Sequence, residues 1–176
     1  SLVISNCDFR NNSANVGFGV YLCDTIASID QCVFTDNTNT ISTTGWKHGS
    51  AIYATCSDLI IRKSLFSDNG ELGSNIKDIV GINQLRSNGA NYLIEDCTFY
   101  KNTADTAVLQ AEAYPSANMI VRNCTFVDNL MQCGPALMLR GSLGLGPQEF
   151  DISLESNIVW FNGSIDSFAG FETDQP

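Results

Sequence analysis

The chain has 176 residues, of which 44% are hydrophobic, and its 19 acidic and 9 basic side chains give a formal charge of −10. Binding of nucleic acid or of an anionic bilayer needs a basic surface, so this charge argues against both partners. No apolar run approaches the roughly 20 residues that span a bilayer, and no leader pattern opens the chain, so we expect no membrane insertion. The length fits one domain, residues 1–176.

One sequence pattern recurs along the chain: an aliphatic residue, a Cys three positions later, a Phe after two more and an Asn after another three. The six copies are LVISNCDFRNN from Leu2, SIDQCVFTDN from Ser28, IIRKSLFSDN from Ile60, LIEDCTFYKN from Leu93, MIVRNCTFVDN from Met119 and the more divergent SLESNIVWFN from Ser153. A period of a few tens of residues is typical of a solenoid, whose units bury their apolar faces only by stacking.

The spacing within one copy predicts short strands separated by corners. The aliphatic residue and the Phe are five positions apart, as in Val121 and Phe126, and an odd spacing cannot place both side chains on one face of an unbroken strand. We therefore predict a bend at the polar pair between them, such as Arg122-Asn123, and a second bend between the Phe and the Asn. No helical pattern separates the strands, so the fold is predicted to be an all-β parallel β-helix of about six coils.

Stacking in register predicts inward rows of like residues. An aliphatic row would contain Ile4, Ile29, Ile61, Ile94, Val121 and Leu154, and an aromatic row Phe9, Phe34, Phe66, Phe99, Phe126 and Val159. The thiols would fill core space as small apolar groups at Cys7, Cys32, Cys97 and Cys124, with Ser64 in the gap. The amides would turn toward the core at Asn12, Asn37, Asn69, Asn102 and Asn129.

A row of charges provides a check on this register. The residues after the aliphatic row alternate in sign from the second copy onward, which places opposite charges beside each other: Asp30, Arg62, Glu95, Arg122 and Glu155. An exposed pair contributes only about 0.2 to 1 kcal/mol, so the row indicates register rather than stability.

Cysteines outside the row and glycosylation sequons are further candidate sites. Cys23 and Cys56 follow equivalent strands, so we predict a disulfide between them, while no zinc-type cysteine spacing occurs. Sequons occur at Asn11, Asn123 and Asn162. Asn123 should lie in a solvent-facing bend, whereas Asn162 belongs to the inward Asn row and is the weaker candidate.

A carbohydrate-active enzyme is the alternative to a purely structural role. Asp36 and Asp68 occupy equivalent positions on consecutive coils, roughly 4.8 Å apart, and Lys101 and Asp128 continue the same row. Such carboxylates can hold calcium against an acidic sugar or act as an acid and base, as in polysaccharide lyases and glycoside hydrolases. Asp before Asn is also favourable turn chemistry, which we prefer as the explanation. His48 has no identifiable catalytic partner, and we expect no cofactor and no metal.

The repeat resembles those of the chlamydial polymorphic outer membrane proteins and related right-handed β-helix surface proteins of the pectate-lyase-like fold. Their FxxN motif stands here at Phe9, Phe34, Phe66, Phe99 and Phe126, and their glycine run is approximated by GFGV at Gly17, GSAI at Gly49 and GPAL at Gly134. The resemblance implies a right-handed coil and a secreted or surface-displayed, often adhesive scaffold that is a segment of a longer chain or fibre. Its expected partners are neighbouring β-helix segments or copies of itself stacked end to end, with surface glycans as further candidates.

Overall fold

The structure, a computed structural model, describes residues 1–14, 18–39, 49–55, 58–71, 78–83, 90–113, 117–141, 151–164 and 171–174. Within these ranges the regular structure consists of short β-strands joined by bends and turns. Every strand pairing is parallel.

Three sheets of six strands each run the length of the molecule. The first contains Leu2–Ser5, Ala27–Asp30, Leu59–Arg62, Asn91–Glu95, Asn118–Arg122 and Asp151–Glu155. The second contains Asp8–Arg10, Val33–Thr35, Leu65–Ser67, Thr98–Tyr100, Thr125–Val127 and Ile158–Trp160. The third contains Val20–Cys23, Ile52–Thr55, Asp78–Asn83, Ala107–Ala113, Leu137–Gly141 and Phe171–Asp174.

Two short ladders complete the coils between the second and third sheets. One pairs Ser13–Ala14 with Thr38–Asn39, and the other joins Thr103–Ala104, Leu130–Met131 and Gly163–Ser164. The chain therefore visits the three sheets in turn and then begins again one strand further along, which is the path of a parallel β-helix. The predicted all-β solenoid is confirmed. Four of its coils are covered on both sides, and the two end coils on one side only.

The two bends of each repeat are single residues in the left-handed backbone region, with φ between 48° and 55°. The first bend is made by Asn6, Gln31, Lys63, Asp96, Asn123 and Ser156, and the second by Asn11, Asp36, Asp68, Lys101, Asp128 and Phe161. One left-handed residue interrupts the strand and shifts side-chain alternation by one position. This explains why residues an odd number of positions apart face the same core.

The aromatic row forms a continuous stack through the core. Rings of consecutive members from Phe9 to Phe126 lie 4.5–5.0 Å apart with planes within 7° of each other. The four inner phenylalanines are completely buried, as are Ile29, Ile61, Ile94 and Val121 of the aliphatic row.

Burial fails at the ends of these rows. Ile4, Phe9 and Leu154 are only partly buried, and Val159 is 40% exposed. Within the described residues, complete burial is therefore seen for the inner members of both rows. The end members have a described neighbouring coil on one side only, which is why they are less buried there.

We predict that Phe99→Ala lowers the free energy of unfolding by about 3 to 5 kcal/mol, because it removes a completely buried ring between two stacked partners. Phe9→Ala is the matched control and should cost clearly less, since Phe9 is stacked on one side only. Urea unfolding followed by circular dichroism measures both. A loss below about 1 kcal/mol for Phe99→Ala would contradict the register of the core.

Candidate functional site

The predicted Asn row is a ladder of buried amides in which each inner member makes four hydrogen bonds. Nδ2 of Asn69 donates to Oδ1 of Asn102 at 3.0 Å and to the carbonyl oxygen of Phe34 at 2.9 Å. Its Oδ1 accepts from the backbone nitrogen and from Nδ2 of Asn37, at 3.1 and 2.9 Å. The same bonds recur from coil to coil up to Asn162. The row therefore satisfies the backbone groups that the second bend leaves unpaired.

Residues of the Cys row perform the same task at the first bend. Asn157 shows this directly, since its Oδ1 accepts from the nitrogen of Cys124 at 2.9 Å and its Nδ2 donates to the carbonyl oxygen of Val121 at 2.8 Å. Ser64 Oγ likewise accepts from the nitrogen of Cys32 at 3.1 Å and donates to the Arg62 carbonyl oxygen at 2.8 Å. The row is thus a hydrogen-bonding position.

The thiols of this row are hydrogen-bonded as well. Sγ of Cys32, Cys97 and Cys124 donates to the carbonyl oxygen two residues earlier, at 3.2–3.3 Å. The interpretation of these cysteines as apolar filler was therefore incomplete. Cys7, in the first of the described coils, is exposed, unlike the other three cysteines of the row.

The predicted Cys23–Cys56 disulfide stays a prediction. Cys23 has a free, exposed thiol, its strand neighbour in the next coil is Thr55, and Cys56 lies outside the described residues. Cys133 is also a free, exposed thiol, and its Sγ donates to the carbonyl oxygen of Asp105.

The candidate catalytic residues lie together on one exposed corner. Asp36, Asp68, Lys101 and Asp128 are the left-handed residues of the second bend in consecutive coils, and all four are exposed. A hydrogen bond with Tyr100, and behind it the charges of Tyr100, Asp68 and Asp128, raise the pKa of Lys101. Asp is favoured at such bends for conformational reasons alone, so its presence at three of these four positions does not require a catalytic role. Among the described residues, no cluster of three or more His, Cys, Asp or Glu side chains is arranged to hold a metal ion.

The charge row is present on the first sheet. Glu95 lies between Arg62 and Arg122, with N–O distances of 3.0 and 2.7 Å, in the order that the sequence predicts. The pairs are partly exposed and bridge three consecutive coils, so they support the register of the fold.

The three sequons lie in different environments. Asn11 and Asn123 are exposed at bends, with φ of 54°. Asn162 ends the Asn ladder, and its Nδ2, the atom that would carry a glycan, donates to the carbonyl oxygen of Phe126 at 2.8 Å. At Asn162 a glycan would share Nδ2 with this ladder bond, whereas Asn11 and Asn123 are outside the ladder.

A buried carboxylate was missed by the sequence analysis. Asp78, at the start of a strand of the third sheet, is 1% exposed and accepts a hydrogen bond from the nitrogen of Gly49 at 2.5 Å. A Cβ at Gly81 would collide with this carboxylate, at 2.3 Å from Oδ1. The sequence feature that could have predicted this buried carboxylate was the presence of Asp78 and Gly81 in one apolar strand.

His48 lies outside the described residues.

Comparison with known families supports the architecture. The family model for a right-handed β-helix region matches residues 1–159, and the chain therefore belongs to this family. No curated protein and no solved structure matches the chain. The family places it among β-helix scaffolds, a class that includes both structural proteins and enzymes.

The described residues contain no helix that is long and apolar enough to cross a bilayer.

We predict that Asn102→Leu destabilises the protein by about 2 to 5 kcal/mol, because it leaves the buried nitrogen of Asn69 and the carbonyl oxygen of Phe66 without partners. Asn12→Leu is the matched control and should cost less, since Asn12 is only partly buried and donates to one coil alone. Equal losses in urea unfolding would contradict the proposed role of the inner ladder.

Proposed function

We propose that the chain is a non-enzymatic structural scaffold, secreted or displayed at the cell surface. The observation that carries this proposal is that the repeated polar residues serve the backbone: the Asn and Cys rows hydrogen-bond the corners, and the Asp row supplies left-handed bend residues. Sequence repetition in this chain is thus accounted for by the repeated backbone path. A repeated site chemistry is not needed to explain it.

A carbohydrate-active enzyme is the second candidate, favoured by one specific feature. Asp36 and Asp68 lie exposed on consecutive coils, and Lys101 follows on the next coil with a raised pKa. A carboxylate pair beside a cation suits an acidic glycan bound with calcium. The candidate ligand is therefore a uronic acid polymer, bound or cleaved at this corner.

We predict that the protein does not cleave polygalacturonate in the presence of calcium, because these carboxylates serve as bend residues. The measurement is the absorbance of unsaturated products, together with a reducing-sugar assay for hydrolysis. Turnover that disappears in Asp36→Ala or Asp68→Ala would overturn the scaffold proposal. Saturable sugar binding without turnover would agree with it.

The ends of the rod suggest how such a scaffold assembles. Of nine large hydrophobic side chains that are exposed among the described residues, eight fall within residues 2–26 or 158–161. Phe161 is 73% exposed with φ of 50°, at a bend position that holds Asn, Asp or Lys in the other coils. An uncovered coil also presents unpaired backbone groups. We therefore propose that each end pairs with another β-helix coil, either of the same polypeptide or of another copy.

The Asn ladder is compatible with this pairing. Asn162 Oδ1 accepts from Asn129, and Asn12 Nδ2 donates to Asn37, so an Asn162 amide facing an Asn12 amide repeats the donor and acceptor order of the inner ladder. The same contact would place Val159 over Phe9 and so extend the aromatic row.

We predict that the isolated chain self-associates as its concentration rises, because both end coils gain a partner. Sedimentation velocity measures the association, and Val159→Lys is the control that should suppress it by placing a charge at one end.

Hydrogen exchange at residues 2–4 provides a second measurement. The amide of Leu2 already donates to Ile26, so the adjacent amide of Val3 should exchange fast in dilute protein and become protected on association. A stable monomer with Val3 protected would contradict this proposal.

Surface display and glycosylation belong to the same proposal. The resemblance to the chlamydial polymorphic outer membrane proteins supports an adhesive scaffold, and the exposed sequons at Asn11 and Asn123 fit an extracellular location. In that setting residues 1–176 would be one β-helix domain of a longer chain or fibre, with surface glycans as ligands.

A further inference from the structure

Two thiols of the Cys row lie side by side in the core. Cys97 and Cys124 occupy the same position of consecutive coils, next to the register pair Thr98 and Thr125, and the nitrogen of Thr125 donates to the carbonyl oxygen of Cys97 at 2.9 Å. Parallel neighbours in register have Cα atoms about 4.8 Å apart, which lies inside the range of about 4.4 to 6.8 Å found for disulfides. The register therefore gives the two residues a Cα spacing that is compatible with a disulfide.

Both side chains are also completely buried. Cys97 and Cys124 are 1% and 0% exposed, and as neighbours in register on consecutive coils they lie beside each other in the core. Interaction with the Cys124 thiol, and then burial in the core, raise the pKa of Cys97, whereas interaction with Cys97 lowers the pKa of Cys124. Burial of both sulfurs limits the access of an oxidant, so the pair should react slowly.

The remaining cysteines of the row lack this arrangement. Cys32 is separated from Cys97 by Ser64, and on its other side it faces Cys7, which is exposed in the end coil. Burial is the main cause that raises the pKa of Cys32, and no thiol-to-thiol hydrogen bond contributes to it. Cys7 and Cys32 therefore form a matched pair with the same register, but one of its two thiols is exposed.

We propose that Cys97 and Cys124 are a site of oxidative cross-linking, at which a peroxide joins two consecutive coils through a buried disulfide. One thiolate attacks the peroxide and becomes a sulfenic acid, with release of one water after protonation. The second thiol attacks that sulfur, the S–S bond forms and a second water leaves. Each sulfur gives up one electron and the peroxide accepts both, so the reaction consumes one peroxide and two thiols and yields two waters.

The fold determines the character of this cross-link. The bridge would join two buried thiols that each already donate a hydrogen bond, so reduction would restore these bonds and the bridge should be readily reduced. It would also replace the two S–H donors that now serve the carbonyl oxygens of Glu95 and Arg122. The site therefore suits a reversible bridge, formed under oxidising conditions and removed by a thiol reductant.

The test is peptide mapping of the folded protein after treatment with hydrogen peroxide. Remaining thiols are alkylated in denaturant and the chain is cleaved with trypsin. Cleavage after Arg86, Lys101, Arg122 and Arg140 yields one peptide with Cys97 and another with both Cys124 and Cys133. We expect these two peptides to be linked, with a loss of two hydrogens, and to separate again after reduction.

Variants then assign the bond. The linked species should vanish in Cys97→Ser and Cys124→Ser and persist in Cys133→Ser and Cys7→Ser, with circular dichroism confirming that each variant is folded. A link that survives Cys124→Ser but is lost in Cys133→Ser would overturn the proposal. So would a Cys7–Cys32 link formed in preference, or full alkylation of Cys97 and Cys124 after treatment. None of these outcomes depends on whether the chain is a scaffold or an enzyme.

Discussion

The coil depends on how its corners satisfy the backbone. A left-handed residue turns the chain at each bend, and the peptide groups beside it leave the regular strand ladder inside a core that water does not reach. An unpaired buried group of this kind costs about 1 to 3 kcal/mol. Two stacked rows of side chains remove that cost, since Asn102 and Asn157 each accept from the nitrogen of one coil and donate to a carbonyl oxygen of the same coil.

This constraint explains why the two corners tolerate different residues. The residue after the second bend is Asn throughout, because only a carboxamide supplies two donors and an acceptor that can join a continuous ladder. The residue after the first bend is Cys, Ser or Asn: Ser64 and Asn157 both donate and accept there, and Cys97 donates. Packing is therefore not the sole reason for cysteine in the core. Because Cys97 and Cys124 both occupy this hydrogen-bonding position, they are neighbours on consecutive coils.

The same constraint bears on function. Asp36 and Asp68 fit a carbohydrate site by type and spacing, yet both occupy bends where a short polar residue eases a positive φ. Phe161, at the equivalent bend of the last coil, has no such advantage and is exposed beside Trp160. Turn geometry therefore accounts for the residue types of this row, and the one member that departs from them, Phe161, lies in the last of the six coils.

Sequence by itself determined the repeat, the parallel coil, the inner core rows and the order of charges around Glu95, because all of them follow from spacing and side-chain type. It also located the bends, since an odd spacing between inward residues requires a break in alternation. Tertiary structure alone decided which row members are buried, because the exposure of Cys7 and Val159 depends on a neighbouring coil. It likewise decided that Asp78 is buried against Gly49, a contact between residues 29 positions apart that no local pattern encodes.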